Sequence, residues 1–120
     1  MGVGFYIELD KEVSFESYVE GKPLAWVFEE LELFCQKHGL KDISDYIYDE
    51  DSREMLEHMQ EWHSISEGIE WVEKLLFFLE KEKPSFYDEF TMDTLSRILE
   101  VFKKAQSENS GIQWHFDLDF

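Results

Sequence analysis

The C-terminal stretch "IQWHFDLDF", residues 112–120, constrains the fold most strongly, because five apolar residues alternate there with polar ones. A period of two with aromatic and branched residues on one side is typical of a β-strand that buries one face. The N-terminal stretch "VGFYIELD", residues 3–10, alternates in the same way. Because a two-stranded ribbon is barely stable alone, we expect the two ends to pair with each other and to pack against helices. The alternative is a homo-oligomer in which these terminal strands pair between copies of the chain.

Between the two ends, the hydrophobic period changes to that of helices. A short alternation over residues 13–19 first predicts a third strand, which ends before Gly21. Pro23 suits the first turn of a helix and Gly39 suits its C-terminal cap. The segment 40–50 has no clear period. Elsewhere apolar residues recur every three or four positions, which predicts helices over about 23–38, 51–63, 67–82 and 92–107.

The predicted fold is α+β, with about four helices packed with a small sheet formed by the N- and C-terminal strands. The helix at 67–82 leaves only a narrow polar strip of Glu70, Glu73 and Lys74. We therefore expect this helix to be central and covered on more than one side. A chain of 120 residues with 11 Phe, 5 Tyr and 4 Trp has the material for one core. We interpret residues 1–120 as a single acidic globular domain.

The charge balance limits the classes of partner. Twenty-eight acidic residues against eleven basic ones give a net charge of −17, spread over both halves of the chain. This sign disfavours nucleic acid and anionic lipid and attracts basic proteins. No apolar run approaches the ~18 residues of a membrane-spanning helix, no signal peptide is recognisable, and Cys35 is the single cysteine. We expect a cytoplasmic protein that binds a basic protein, and neither nucleic acid nor membranes.

The sequence lacks the common signatures of catalytic and metal-binding sites. His58 and His63 are five residues apart, which is ~500° around a helix, so they point in divergent directions. No Glu-x-x-His pattern, G-x-S-x-G elbow or phosphate-binding glycine loop occurs. Cys35 lies on the apolar stripe of a predicted helix, where a buried, inert thiol is the common case. We predict no catalytic residue, no cofactor and no metal ligand, which favours a protein without enzymatic activity.

The stretch "HMQEWHSISEGIEW", residues 58–71, concentrates histidines and tryptophans without a ligand spacing. Ser64, with a glutamate three residues later, is a capping-box signal for the start of a helix. Trp62 and Trp71 lie on either side of this boundary, and Gly68 allows a close approach. We interpret the stretch as the junction of the second and third helices.

The outward face of the two terminal strands carries the candidate partner-binding residues. Paired strands would crowd these carboxylates and one histidine on a single surface, where like charges destabilise each other. Such a cluster needs solvent, a cation or a basic partner. Three interpretations therefore stay open: a solvated outer face, an acidic docking patch and a loose divalent-cation site. The residues are Tyr6, Glu8, Asp10, His115, Asp117 and Asp119.

Size, acidity and aromatic content together resemble those of bacterial immunity-type proteins, which cap basic toxins, although no motif identifies such a family. The first hypothesis is therefore a small acidic protein-binding module, inhibitor-like or immunity-like, that acts on a basic partner. The second is a metal-dependent enzyme or regulator that uses the terminal-strand carboxylates. The third is a structural or oligomeric protein without catalytic activity.

Overall fold

The computed structural model of the protein describes residues 4–48 and 60–119. That part of the chain contains four α-helices and a three-stranded antiparallel sheet that includes both terminal strands, so the α+β prediction is confirmed. None of these helices is long and apolar enough to cross a lipid bilayer. In chain order the elements are β1 (Gly4–Leu9), α1 (Lys22–Trp26), α2 (Phe28–Lys37), a 3₁₀-helix (Ile43–Tyr46), β2 (His63–Ser64), α3 (Ile65–Glu82), α4 (Glu89–Glu108) and β3 (Gln113–Asp119).

The sheet has the order β1-β3-β2, so the C-terminal strand lies in the middle. β1 and β3 are antiparallel, with Ile7 opposite Phe116, which confirms the predicted pairing of the two ends. Phe5, Ile7 and Phe116 are buried. Because successive side chains of a strand point to opposite faces, the intervening polar residues share the other face.

The third strand of the sheet is not the predicted one. Residues 10–21 form no strand, and β2 takes the third position instead. The alternation over 13–19 is nevertheless reflected in burial, since its odd-numbered residues are at least partly buried and its even-numbered residues are exposed. The backbone of this extended segment bonds to side chains, as where the amide of Ser14 donates to the Glu108 carboxylate at 3.2 Å. The alternation over 13–19 therefore reflects an extended segment that packs on one side and pairs with no strand in the described part of the chain.

The helix predicted over 23–38 is divided in two. α1 ends at Trp26 and α2 begins at Phe28. Val27 between them has φ −119° and ψ 25°, which lies outside the helical region. The amide of Leu31 still bonds to the carbonyl of Val27 at 2.8 Å, so α2 starts immediately after the break.

The start of α3 agrees with the capping signal, but the end of the preceding predicted helix does not. The Ser64 hydroxyl accepts a hydrogen bond from the amide of Glu67 at 3.2 Å. Residues 60–62 are irregular and His63 pairs with Trp114 in the sheet, so the predicted helical end near His63 is wrong. The His63 ring is buried beside Tyr46 and Trp114, which favours the strand. Residues 51–59 of that predicted helix, with His58, lie outside the described residues.

Trp114 of β3 is the centre of the core. Its ring lies 4.6 Å from that of Phe102 and 4.9 Å from that of Tyr46, measured between centroids. A Cβ atom added at Gly68 of α3 would lie 2.6 Å from Trp114 Nε1. A close approach therefore occurs at Gly68, but its nearest neighbours among the described residues are Trp114 of β3 and Phe102 of α4, and not the second helix that the sequence predicted.

Candidate functional site

The register of β1 and β3 places most of the candidate partner-binding residues opposite one another. Glu8 faces His115 and Tyr6 faces Asp117. Asp119 lies opposite Gly4 in the strand, and its side chain is outside the described part. Asp10 follows β1, and its Oδ1 atom accepts a hydrogen bond from the amide of Gln113 at 2.8 Å. This hydrogen bond ties the end of β1 to β3. Asp10 does not take part in the contact between Glu8 and His115.

His115 is not part of a solvated outer face, because its side chain is buried with 4% of its area exposed. The ring lies nearly parallel to that of Trp62, with centroids 4.2 Å apart, and to that of Tyr48 at 5.4 Å. Its Nδ1 atom is 2.7 Å from the carbonyl oxygen of Glu61, and its Nε2 atom is 3.1 Å from a carboxylate oxygen of Glu8. Two segments distant in sequence thus cover this histidine.

Glu8, His115 and Asp117 converge on one point. Each supplies one ligand atom, and the three atoms all lie within 4.8 Å of one another. Glu8 is exposed, whereas Asp117 is partly buried. Ligands held about 2.0–2.2 Å from one cation lie at most about 4.4 Å apart, so the three side chains would need only small movements to share an ion. From the sequence alone, a loose divalent-cation site on this face stayed an open interpretation. No metal ligand was assigned, because Glu8 and His115 are 107 residues apart and no local spacing motif links them.

A second surface, which was not predicted from the sequence, lies on α1 and α2. Trp26 and Leu33 are 65% and 67% exposed, among the most exposed of the large apolar side chains that the structure describes. Glu29 and Glu30 lie between them in sequence and are also exposed. Neither carboxylate forms a salt bridge with any residue in the described ranges. The signal was present in the sequence, because Trp26 and Leu33 are not among the apolar residues that recur every three or four positions over 23–38, which are Leu24, Val27, Phe28, Leu31, Phe34 and Cys35. We call Trp26, Glu29, Glu30 and Leu33 the acidic–aromatic face.

The outer side of α3 offers an exposed aromatic residue of a different electrostatic character. Phe77 lies between two open grooves of about 740 and 580 Å³. The nearby acids are already paired, Glu70 with Lys74 at 2.7 Å and Glu73 with Lys103 at 3.7 Å. This surface therefore has little uncompensated negative charge to offer a basic partner.

Cys35 is buried, and burial together with the neighbouring Asp42 and Glu32 raises the pKa of its thiol to about 12. Because the thiolate is the reactive form, this thiol stays protonated and unreactive at neutral pH. The expectation that Cys35 is buried is therefore confirmed, and the raised pKa agrees with an unreactive thiol.

His63 predicts a loss of stability in mild acid. Both of its ring nitrogens are buried without a hydrogen-bond partner in the described part of the chain. Burial lowers the pKa of His63 below the ordinary 6.5; Lys41 lowers it further, while Glu67 opposes the shift. As the pH falls through about 6.5, His63 becomes protonated in the unfolded chain but stays neutral in the folded protein, because its pKa is lower there. The unfolded state therefore binds more protons, and the free energy of unfolding decreases.

The measurement is urea denaturation of the wild type and of His63→Phe at about pH 7.5 and pH 5.5. We expect the wild type to lose more stability between the two conditions than the variant, which lacks this group. The other histidines are common to both proteins and cancel in the comparison. Equal losses in the two proteins would show that His63 accepts a proton freely in the folded state.

The chain matches no protein-family profile, no curated protein and no solved structure at a significant level.

Proposed function

We propose that this protein is a small acidic binding module, inhibitor-like or immunity-like, whose partner is a basic protein. The observation that carries the proposal is the acidic–aromatic face, in which the side chains of Trp26 and Leu33 are exposed and flank exposed Glu29 and Glu30 in the sequence. The cytoplasmic location predicted from the sequence belongs to the same proposal.

The chemistry of this face suits a partner that carries lysine or arginine around an apolar pocket. Tryptophan is enriched among the residues that dominate binding energy at protein interfaces. Glu29 and Glu30 form no salt bridge with a described residue, so a partner cation can approach them without displacing one of those residues. The net charge of −17 adds a long-range attraction that accelerates encounter with a basic surface.

The terminal-strand residues form a second predicted contact region within this proposal. Glu8 is exposed and can reach a partner directly, and Tyr6, Asp10 and Asp117 are partly buried. His115 is buried, so its contribution is to hold Glu8 in position through the 3.1 Å contact. Substitutions in this region test a contact that is separate from the acidic–aromatic face.

The first experiment compares what the immobilised full chain and its Trp26→Ala variant capture from an extract of the source cells at low salt. A captured protein counts only after it has been purified and titrated with the wild type and the variants. We expect a basic protein whose affinity for Trp26→Ala is about 30-fold lower, the loss typical of a residue that contributes ~2 kcal/mol to binding. Phe90→Ala is the matched control, because Phe90 is 67% exposed and lies on a different helix.

The charge contribution is measured separately on the same purified pair. We expect Glu29→Gln combined with Glu30→Gln to slow association, and added salt to slow the wild type more than this variant, because charge at an interface rim acts mainly on the association rate. Capture of neutral or acidic proteins only, or equal affinity of Trp26→Ala and Phe90→Ala, would contradict the proposal.

A further inference from the structure

We propose that Glu8, His115 and Asp117 bind one divalent transition-metal ion, with Zn²⁺ as the representative. The site lies on the face of the β1–β3 ribbon opposite the core and shares no residue with the acidic–aromatic face.

The orientation of His115 is the first argument. Its Nδ1 atom is 2.7 Å from the carbonyl oxygen of Glu61, and a carbonyl oxygen can only accept a hydrogen bond, so Nδ1 carries the proton. Nε2 is therefore the ring atom left to coordinate an ion, and it lies 3.1 Å from a carboxylate oxygen of Glu8.

The same hydrogen bond, together with ring stacking, also holds the His115 ring in a fixed orientation. Metal-ligating histidines almost always donate their other ring N–H to a carboxylate, a backbone carbonyl or a water, which fixes the tautomer and aims the free nitrogen. Here the carbonyl of Glu61, outside the cluster, takes that role. Trp62 and Tyr48 stack on the ring, so the nitrogen ligand is held in place before any ion arrives. Exposed Glu8 leaves the site open to solvent, which provides the entry path.

The donor set selects the type of metal ion. Imidazole nitrogen is a good ligand for Zn²⁺ and related ions, whereas Ca²⁺ and Mg²⁺ prefer sites made of oxygen alone. One nitrogen and two carboxylate oxygens provide three protein ligands, which leaves a fourth tetrahedral position for water. We therefore expect Zn²⁺ to bind more tightly than Ca²⁺ at this site.

The test is calorimetric titration of the metal-free full chain with Zn²⁺, and with Ca²⁺ in a parallel run. We expect one equivalent of Zn²⁺ to bind more tightly than the diffuse binding to the acidic surface, and to raise the melting temperature through linkage. Glu8→Gln and Asp117→Asn should each weaken the tight binding by about tenfold or more and abolish the rise in melting temperature. Both substitutions are at positions that are not fully buried, so the variants are expected to fold.

Asp93→Asn is the matched control, since it removes the same charge from an exposed residue that pairs with Arg97 at 3.0 Å. It should leave the tight Zn²⁺ binding unchanged. Zn²⁺ binding that is weak and multivalent, that Asp117→Asn and Asp93→Asn affect equally, or that Ca²⁺ matches in affinity would overturn the proposal. Because the titration contains only the purified chain and metal ion, and no partner protein, this outcome does not depend on partner binding.

Discussion

Trp114→Ala is expected to lower the free energy of unfolding by about 3–5 kcal/mol, the usual cost of truncating a fully buried large aromatic residue. The Trp114 side chain is 0% exposed and lies in the central strand of the sheet. Its ring packs on Phe102, Tyr46 and Phe116, so the cavity left behind would be bounded by rings from several elements. The variant also loses the hydrogen bond that the indole N–H donates to the carbonyl of Ser64 at 3.0 Å. Both losses act on the same point where α3, β2 and β3 meet.

Urea denaturation followed by far-ultraviolet circular dichroism measures this effect, since fluorescence would change with the tryptophan itself. Trp26→Ala is the control, because its side chain is largely exposed and surface substitutions usually change stability by less than about 0.5 kcal/mol. A loss below about 1 kcal/mol for Trp114→Ala would mean that this residue does not occupy the centre of the core.

Gly21→Ala is expected to destabilise the protein by about 1–3 kcal/mol or more, as overpacking does where neighbours cannot yield. A Cβ atom at position 21 would lie 2.0 Å from the carbonyl oxygen of Phe5 and 2.8 Å from its carbonyl carbon. Both atoms belong to the backbone of β1, which is fixed by its pairing with β3. The clash can therefore be relieved only by moving α1 away from the sheet.

Gly111→Ala provides the comparison for this backbone contact. An added Cβ atom there meets only the side-chain oxygen of Asn109, at 3.2 Å, and a side chain can rotate away. Thermal and urea unfolding of the two variants should separate them clearly, with Gly111→Ala close to the wild type. Comparable stabilities of the two would show that α1 does not pack on β1 as closely as described.

The parts of the fold that could be predicted are those with a sustained period. The strict alternation in β3 and the long apolar stripes of α3 and α4 each specify one local structure and one buried face. β2 has only two residues, which is too short for any period, and it forms because His63 and Ser64 complete the sheet beside Trp114. The break at Val27 could not be predicted either, since the apolar residues continue at helical spacing across it. Tertiary packing determines both the pairing of β2 and this break.

The candidate site could also be predicted only in part. Once the two ends pair, the alternation places Glu8, His115 and Asp117 on one face, and this much could be inferred from residues alone. The burial of His115 could not, because Trp62 and Tyr48 reach it from segments that have no strand period. Packing between distant segments therefore buries and orients the His115 ring, next to which Glu8 and Asp117 lie.

The central position of β3 has a consequence for how the chain folds. Glu8 meets His115 across 107 residues of intervening sequence, and closing so long a loop is entropically slow. On the ribosome, β1 must wait with unpaired backbone groups until β3 has been made, while the neighbouring helices α3 and α4 can already pack against each other. Exposed strand edges are prone to pair with other chains. We therefore expect the protein to be prone to aggregation during the interval between the synthesis of β1 and that of β3.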